Sequence, residues 1–109
     1  GYGELGRSVA KLAEAFGMKV VIAALPNRPG DASRVPFAEL LPQVDFLSLH
    51  CPLTEQTRDL ISYAELEAMK PTAFLVNCAR GGVVNEQQMY SRLNHRKRGM
   101  YYLMTAFRI

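Results

Sequence analysis

The sequence predicts an α/β fold built on a doubly wound parallel sheet that is incomplete, its first strand being absent. Short apolar, β-prone runs alternate with helix-periodic segments along the chain, the pattern of strands joined by crossover helices. The chain opens on Gly1-Tyr2-Gly3-Glu4-Leu5-Gly6, a glycine cluster that reads as a dinucleotide fingerprint ahead of a helix. Such a fingerprint follows a strand that is normally central in the sheet, yet Gly1 is the first residue.

Each element has its own signal. Val9, Leu12, Ala13 and Phe16 recur at helical spacing and Gly17 follows, so a first helix is expected from about Leu5 to Phe16. Lys19-Val20-Val21-Ile22-Ala23-Ala24 is short and β-rich, as a buried parallel strand is. Pro26, Pro29, Gly30 and Pro36 make the next connection a loop. A helical turn at Phe37 to Leu41 leads to a second strand, Val44 to Leu49, which ends at His50-Cys51-Pro52. Ser62 and Glu65 have the spacing of a capping box, which starts a helix over Tyr63 to about Met69, and Pro71 ends it. Ala73-Phe74-Leu75-Val76 forms a third strand. Asn85 and Gln88 make a second capping pair for a helix from Glu86 to about Leu93. Met100 to Met104 is β-prone enough for a sheet strand, with no indication of where it pairs.

The 109 residues suit one small domain, and 49% apolar with 21% charged residues is ordinary for a globular protein. No apolar stretch approaches the ~20 residues that span a bilayer, and no signal-peptide pattern opens the chain. Cys51 and Cys78 lack zinc-site spacing and are too few for a disulfide framework. The expectation is a cytoplasmic protein without membrane attachment or metal. Charge is uneven: residues 1–86 carry eight Lys/Arg against all ten acids, whereas 87–109 carry five Lys/Arg and no acid. Without a nucleic-acid motif, these five (Arg92, Arg96, Lys97, Arg98 and Arg108) are expected to be solvated surface rather than a nucleic-acid contact.

Gly1, Gly3 and Gly6 suit a tight turn, close approach of the backbone to a pyrophosphate and close helix packing, with amides near Glu4 and Leu5 facing the phosphate. The acid that should bond the adenosine ribose falls near Leu25, which cannot do so. Arg28, beside Asn27, either meets a 2′-phosphate or is a loop charge, so NAD and NADP both stay open. Asn77-Cys78-Ala79-Arg80-Gly81-Gly82 places a permanently charged fork of donors in a glycine loop after a buried strand, a site for a carboxylate. His50 is expected to be packed or hydrogen-bonded rather than catalytic, and His95 to be exposed. Cys51 and Cys78, both at strand ends, are read as small residues lining the cofactor, not as nucleophiles.

Gly1 to Gly6, His50-Cys51-Pro52-Leu53-Thr54, Met69-Lys70-Pro71 and Asn77 to Glu86 together resemble the NAD-binding, Rossmann-like domain of the D-isomer-specific 2-hydroxyacid dehydrogenases. The pattern Asn-x-Ala-Arg-Gly-Gly-x-Val-x-Glu is its most specific part, and Leu25-Pro26-Asn27-Arg28-Pro29 is similar to the glycerate dehydrogenase/hydroxypyruvate reductase branch. The resemblance covers residues 1 to about 88. It implies hydride transfer between nicotinamide C4 and the carbon bearing a small 2-hydroxyacid's hydroxyl or 2-ketoacid's keto group. Arg80 would hold the substrate's carboxylate and carbonyl, Glu4 and Leu5 would contact pyrophosphate, Cys51 the cofactor loop, and Cys78-Ala79-Arg80 the nicotinamide side. The family's later aspartate and glutamate would align with Met104 and Ile109, which cannot serve, and its proton-transferring histidine lies beyond the last residue.

A partial nucleotide-binding domain over 1–88 with a divergent basic tail over 89–109 is therefore expected, with a reading-frame change or gene decay near Gln88 as the hypothesis for the tail. Absence of a family-like glycine-rich strand in the other two frames of the encoding DNA would sink the frame-change version. The parent enzyme is expected to be a homodimer, and this chain alone to have little or no activity. The alternatives are a non-catalytic nucleotide-binding or interaction module, a non-functional gene fragment, or a piece that does not fold stably alone.

Overall fold

Strands and helices follow one another in a computed structural model that describes residues 2–25, 33–95 and 101–104, with backbone only for 93–95 and 101–104. The expectations at Gly1, Arg28, Arg96 to Arg98 and Arg108, and for the His95 side chain, lie outside the described residues. Helix α1 (Glu4–Ala15) leads to β1 (Ala23–Ala24), β2 (Val35–Pro36), α2 (Phe37–Leu40) and β3 (Phe46–Leu49). Then come α3 (Tyr63–Ala68), β4 (Phe74–Asn77), a 3-10 turn (Gly81–Val83), α4 (Glu86–His95) and β5 (Tyr101–Met104).

Among the described residues all strand pairs are parallel, in two sheets ordered β1-β2 and β3-β4-β5. The run Met100 to Met104, whose partner the sequence leaves open, supplies β5, which pairs with β4 from Phe74↔Tyr101 to Asn77↔Met104. Of the expected strand Lys19 to Ala24, only Ala23 and Ala24 join a ladder. A ladder extends only as far as its partner, and β2 is itself two residues long.

Helix termini follow their local chemistry. Gly17 has φ +83° and closes α1 in a Schellman motif, its N–H donating to the Glu14 carbonyl at 2.9 Å while the Met18 N–H donates to the Ala13 carbonyl at 3.0 Å. At α3 the capping box forms, with the Ser62 N–H donating to Glu65 Oε2 at 3.1 Å. At α4 the Gln88 N–H donates to Asn85 Oδ1 at 3.1 Å, but Gln88 Oε1 accepts from the Tyr63 N–H at 2.9 Å. The second capping pair thus ties the start of α4 to the start of α3.

The core lies on one face of the three-stranded sheet. Leu47, Leu49 and Leu75 alternate inward and pack with Phe37, Leu40, Leu41, Leu60, Ile61, Leu66, Met69, Val83, Val84 and Met89. Ala23, Leu25 and Val35 of the small sheet pack against the same cluster. On the opposite face Phe46 and Phe74, paired in register, stack at 4.9 Å between centroids and stay exposed. Helix α1 is also poorly covered: only Gly6 and Ala10 are buried, while Leu5, Leu12 and Phe16 are 58%, 61% and 81% exposed. No described helix is long and apolar enough to cross a membrane.

One expectation is corrected. Arg92, read as solvated surface with the other basic residues of 87–109, is 0% exposed. Its Nε lies 3.5 Å from Oε1 of Glu67, so α4 pairs with α3 through charge. Three residues after buried Met89, Arg92 falls on the helix face that turns toward α3, where only a paired guanidinium is tolerated.

Candidate functional site

In parallel sheets a ligand crevice forms outside the carboxyl ends of the strands, and the chemistry-bearing residues gather there. Strand β3 ends into His50 and Cys51, and β4 ends into Cys78, Ala79 and Arg80. The two ends are joined, since the Cys78 N–H donates to the Leu49 carbonyl at 3.1 Å.

The arginine loop is held by one side chain. Asn77 is 1% exposed; its Oδ1 accepts from the Ala79 N–H at 2.9 Å and its Nδ2 donates to the Arg80 carbonyl at 3.0 Å. An amide is the side chain that offers both an acceptor and a donor, so one residue closes the turn in both directions. Arg80 itself is extended, at φ −111° and ψ 153°, and its side chain is exposed. No ion pair among the described residues engages it, so its fork of donors can meet an incoming carboxylate. Ala79 packs on the core, and Cys51 is buried while Cys78 is half-buried; neither cysteine is in a disulfide.

Behind the loop, residues 81–85 are tied to 59–61. The Asp59 N–H donates to the Gly82 carbonyl at 2.8 Å, Ile61 to Val83 at 3.1 Å, and Asn85 to Ile61 at 2.8 Å. Asp59 adopts φ 53°, a left-handed conformation that aspartate tolerates better than most residues. Buried Thr57 organises the preceding loop, its hydroxyl donating to the Pro52 carbonyl at 2.6 Å and accepting from the Thr54 N–H at 2.8 Å. Gly82 sits in tight packing: a Cβ there would lie 3.2 and 3.3 Å from the Leu53 methyls, which would have to shift, and 3.5 Å from Arg58 Nη1. Gly82→Ala is expected to cost about 1 kcal/mol through overpacking, read as a lowered urea midpoint.

The glycine cluster precedes α1 as expected. The first helical bond runs from the Arg7 N–H to the Gly3 carbonyl at 2.9 Å, leaving the amides of Glu4, Leu5 and Gly6 without an intrahelical partner. Gly3, the N-cap, has φ −79°, so its value here is room rather than conformational freedom: a Cβ would meet nothing within 4 Å. Glu4 and Leu5 are exposed and Gly6 is buried. An open groove runs alongside, lined by Gly3, Glu4, Arg7, Ser8 and Lys11. Unpartnered amides, an uncrowded glycine and two nearby cations fit a nucleotide's phosphates. Leu25, where a ribose-binding acid was sought, instead packs on the core.

His50 is hydrogen-bonded, as expected, with Nε2 2.7 Å from Ser48 Oγ, while Nδ1 is buried without a partner. Burial lowers its pKa below the ordinary 6.5. The unfolded chain therefore binds a proton first as pH falls through 6.5, and stability, full above that value, declines below it until the folded imidazole also takes up its proton. His50→Gln is expected to flatten that decline in urea midpoints measured at both ends of the window. Neither Asn77 nor Ser48 stood out as a site residue in the sequence. The Asn-x-Ala spacing of an Asx turn marks the first; nothing local marks the second.

The fold and this crevice define a nucleotide-binding α/β domain. A family model described as "D-isomer specific 2-hydroxyacid dehydrogenase, NAD binding domain" matches residues 1–103, and the chain belongs to that family. It is 40% identical over 98 residues to a glyoxylate reductase of Thermococcus litoralis, covering 85% of this chain and 30% of that protein. A glycerate dehydrogenase of Methylorubrum extorquens is 45% identical over 93 residues, with 85% and 29% covered. Among solved structures, the NAD-complexed form of a D-isomer specific 2-hydroxyacid dehydrogenase from Lactobacillus delbrueckii superimposes with TM-score 0.77 at 31% identity, covering 87% of this chain and 30% of that one. The chain thus spans about 30% of the length of the curated relatives it matches.

Proposed function

We infer that this chain binds NAD(H) as the nucleotide-binding part of an oxidoreductase acting on the CH–OH group of small D-2-hydroxyacids, in the glycerate, hydroxypyruvate and glyoxylate class. The observation that carries the substrate reading is Arg80, exposed at the carboxyl end of β4 on a loop fixed by Asn77. Relatives named glyoxylate reductase, hydroxypyruvate reductase and glycerate dehydrogenase support that class. Bound NAD supplies the hydride acceptor at its nicotinamide C4. The amides of Glu4 and Leu5 hold the pyrophosphate, with Gly1, Gly3 and Gly6 letting it approach. Cys51, Cys78 and Ala79 line the crevice, and Arg80 orients the substrate by its carboxylate, fixing which carbon faces the nicotinamide. General acid–base catalysis typically contributes ~10²–10⁴-fold, and no residue of the described crevice is assigned that role, so binding is expected without efficient turnover.

Fluorescence titration of the 109-residue chain with NADH and NADPH tests this, together with an assay for hydroxypyruvate reduction. NADH binding is expected, and NADPH within about tenfold of it, because Leu25 puts no carboxylate where a 2′-phosphate would be repelled. Absence of NADH binding at millimolar concentration overturns the nucleotide reading. Turnover comparable to a full-length family enzyme overturns the division of labour.

A further inference from the structure

One residue holds the glycine turn ahead of α1. The Arg7 backbone N–H donates to the Gly3 carbonyl at 2.9 Å, and Arg7 Nε donates to the Tyr2 carbonyl at 3.2 Å. The guanidinium also lies over the Tyr2 ring, 5.2 Å from its centroid. Two consecutive carbonyls are thus fixed from one position, the first through backbone and the second through side chain. Any helix makes the backbone bond in its first turn. The bond to Tyr2 is different, because it exists only where position 7 carries a donor of the right reach.

Peptide planarity converts these carbonyl bonds into N–H directions. In a trans peptide the C=O and the following N–H share a plane and point opposite ways, and no described peptide bond is cis. Holding the Tyr2 carbonyl toward Arg7 aims the Gly3 N–H away from it, and the bond to the Gly3 carbonyl does the same for the Glu4 N–H. Successive N–H groups turned to one side make an anion-binding concavity. The space beside Gly3 is open, since a Cβ there would meet nothing within 4 Å, and its N–H has no backbone partner among the described residues. Without the tether the Tyr2–Gly3 plane is poorly determined, because glycine reaches φ of either sign at little cost. Rotated over, that peptide would present an oxygen to an anion where it now presents a proton.

We propose that Arg7 is a positioning residue for the cofactor's pyrophosphate: it locks the Tyr2–Gly3 peptide so that the Gly3 N–H joins the amides of Glu4 and Leu5 in holding the phosphates. This rests on the reading that the chain binds NAD(H). Arg7 acts through the backbone rather than by touching the anion, its Nε being engaged by the Tyr2 carbonyl and its face by the Tyr2 ring. What it supplies is a turn already arranged before the ligand arrives, so that binding does not have to order it.

The test follows the Gly3 and Glu4 amide resonances of the whole chain by NMR as inorganic pyrophosphate, and separately NADH, is added. The native chain is compared with Arg7→Met, Arg7→Gln and Arg7→Lys. Glutamine carries an N–H the same number of bonds from Cα as arginine Nε but no charge, whereas lysine keeps the charge with its donor one atom further out. Pyrophosphate is expected to shift both amide protons downfield in the native chain, with a dissociation constant about fivefold higher in Arg7→Met, the worth of one hydrogen bond. Arg7→Gln is expected to stay within about twofold of the native value, and Arg7→Lys to follow Arg7→Met. Rescue by lysine and not by glutamine overturns the proposal, because charge alone would then carry the effect. So does native-like binding by Arg7→Met, a Gly3 amide that pyrophosphate leaves unmoved in the native chain, or an affinity loss in all three variants that tracks an equal fall in urea midpoint. Pyrophosphate carries neither adenosine nor nicotinamide, so the two readings fail separately. If these ratios hold and NADH does not bind, only the nucleotide reading falls; if NADH binds the native chain and every variant equally, only the positioning role does.

Discussion

Glu67→Ala is expected to destabilise the chain by about 2–4 kcal/mol, and Arg92→Met by less than half as much. The asymmetry follows from which charge is left behind. Arg92 is wholly buried between α3 and α4, 3.5 Å from a Glu67 carboxylate that is itself 37% exposed. Removing the carboxylate weakens the compensation of a guanidinium that water cannot reach. Removing the guanidinium leaves an acid that water already solvates, and methionine fills similar space without charge. The partial exposure of Glu67 sets the loss at the lower end of what buried pairs give. Urea unfolding of both variants and of the double substitution reads the effect, with the double variant expected to be more stable than Glu67→Ala alone. If Glu67→Ala is silent, the pair has no structural weight.

Arg92 also shows what composition hides. A count of charges along the chain groups it with Arg96, Lys97 and Arg98, but burial follows the helix face. Met89 and Arg92 are one turn apart, so the apolar face of α4 carries the arginine inward. The signal was present in the spacing; the identity of the partner was not, because Glu67 lies on a different helix, 25 residues back in sequence. Local chemistry was readable wherever the partners are local. Gly17 closes α1, Ser62 and Glu65 cap α3, and strand and helix alternate as expected except at Val35–Pro36, a short strand where a loop was expected. Gln88 shows the boundary: its backbone N–H stays with Asn85, but its side-chain Oε1 accepts from the Tyr63 N–H, a choice set by how α3 and α4 meet. The short β1 has the same cause, for its six-residue β-prone run ladders only where β2 accompanies it. Of the site, the Arg80 loop was legible as a motif, whereas its mechanical support by Asn77 required the fold.

Asn77→Ala is expected to cost about 2–4 kcal/mol and to weaken NADH binding along with it, because one deletion strands two backbone groups. The side chain sits at 1% exposure, so neither the Ala79 N–H nor the Arg80 carbonyl finds water easily once it is gone. Each unsatisfied group costs about 1–3 kcal/mol, and local relaxation of the loop recovers part of that. A second variant separates the two bonds. Asn77→Asp keeps an oxygen for the Ala79 N–H but sets a carboxylate against the Arg80 carbonyl, where both atoms are acceptors. Protonation restores a donor, so burial and that carbonyl raise the introduced carboxyl's pKa in the folded state above its unfolded value of about 3.9. A raised folded pKa means stability present at low pH and lost as pH rises through it. The penalty of Asn77→Asp relative to the native chain is therefore expected to shrink between about pH 7 and pH 5, while that of Asn77→Ala stays constant. Parallel pH dependence of the two variants would show that the Nδ2 bond to Arg80 does not hold the loop. If both variants unfold at the same midpoint as the native chain, Arg80 is positioned by something other than Asn77.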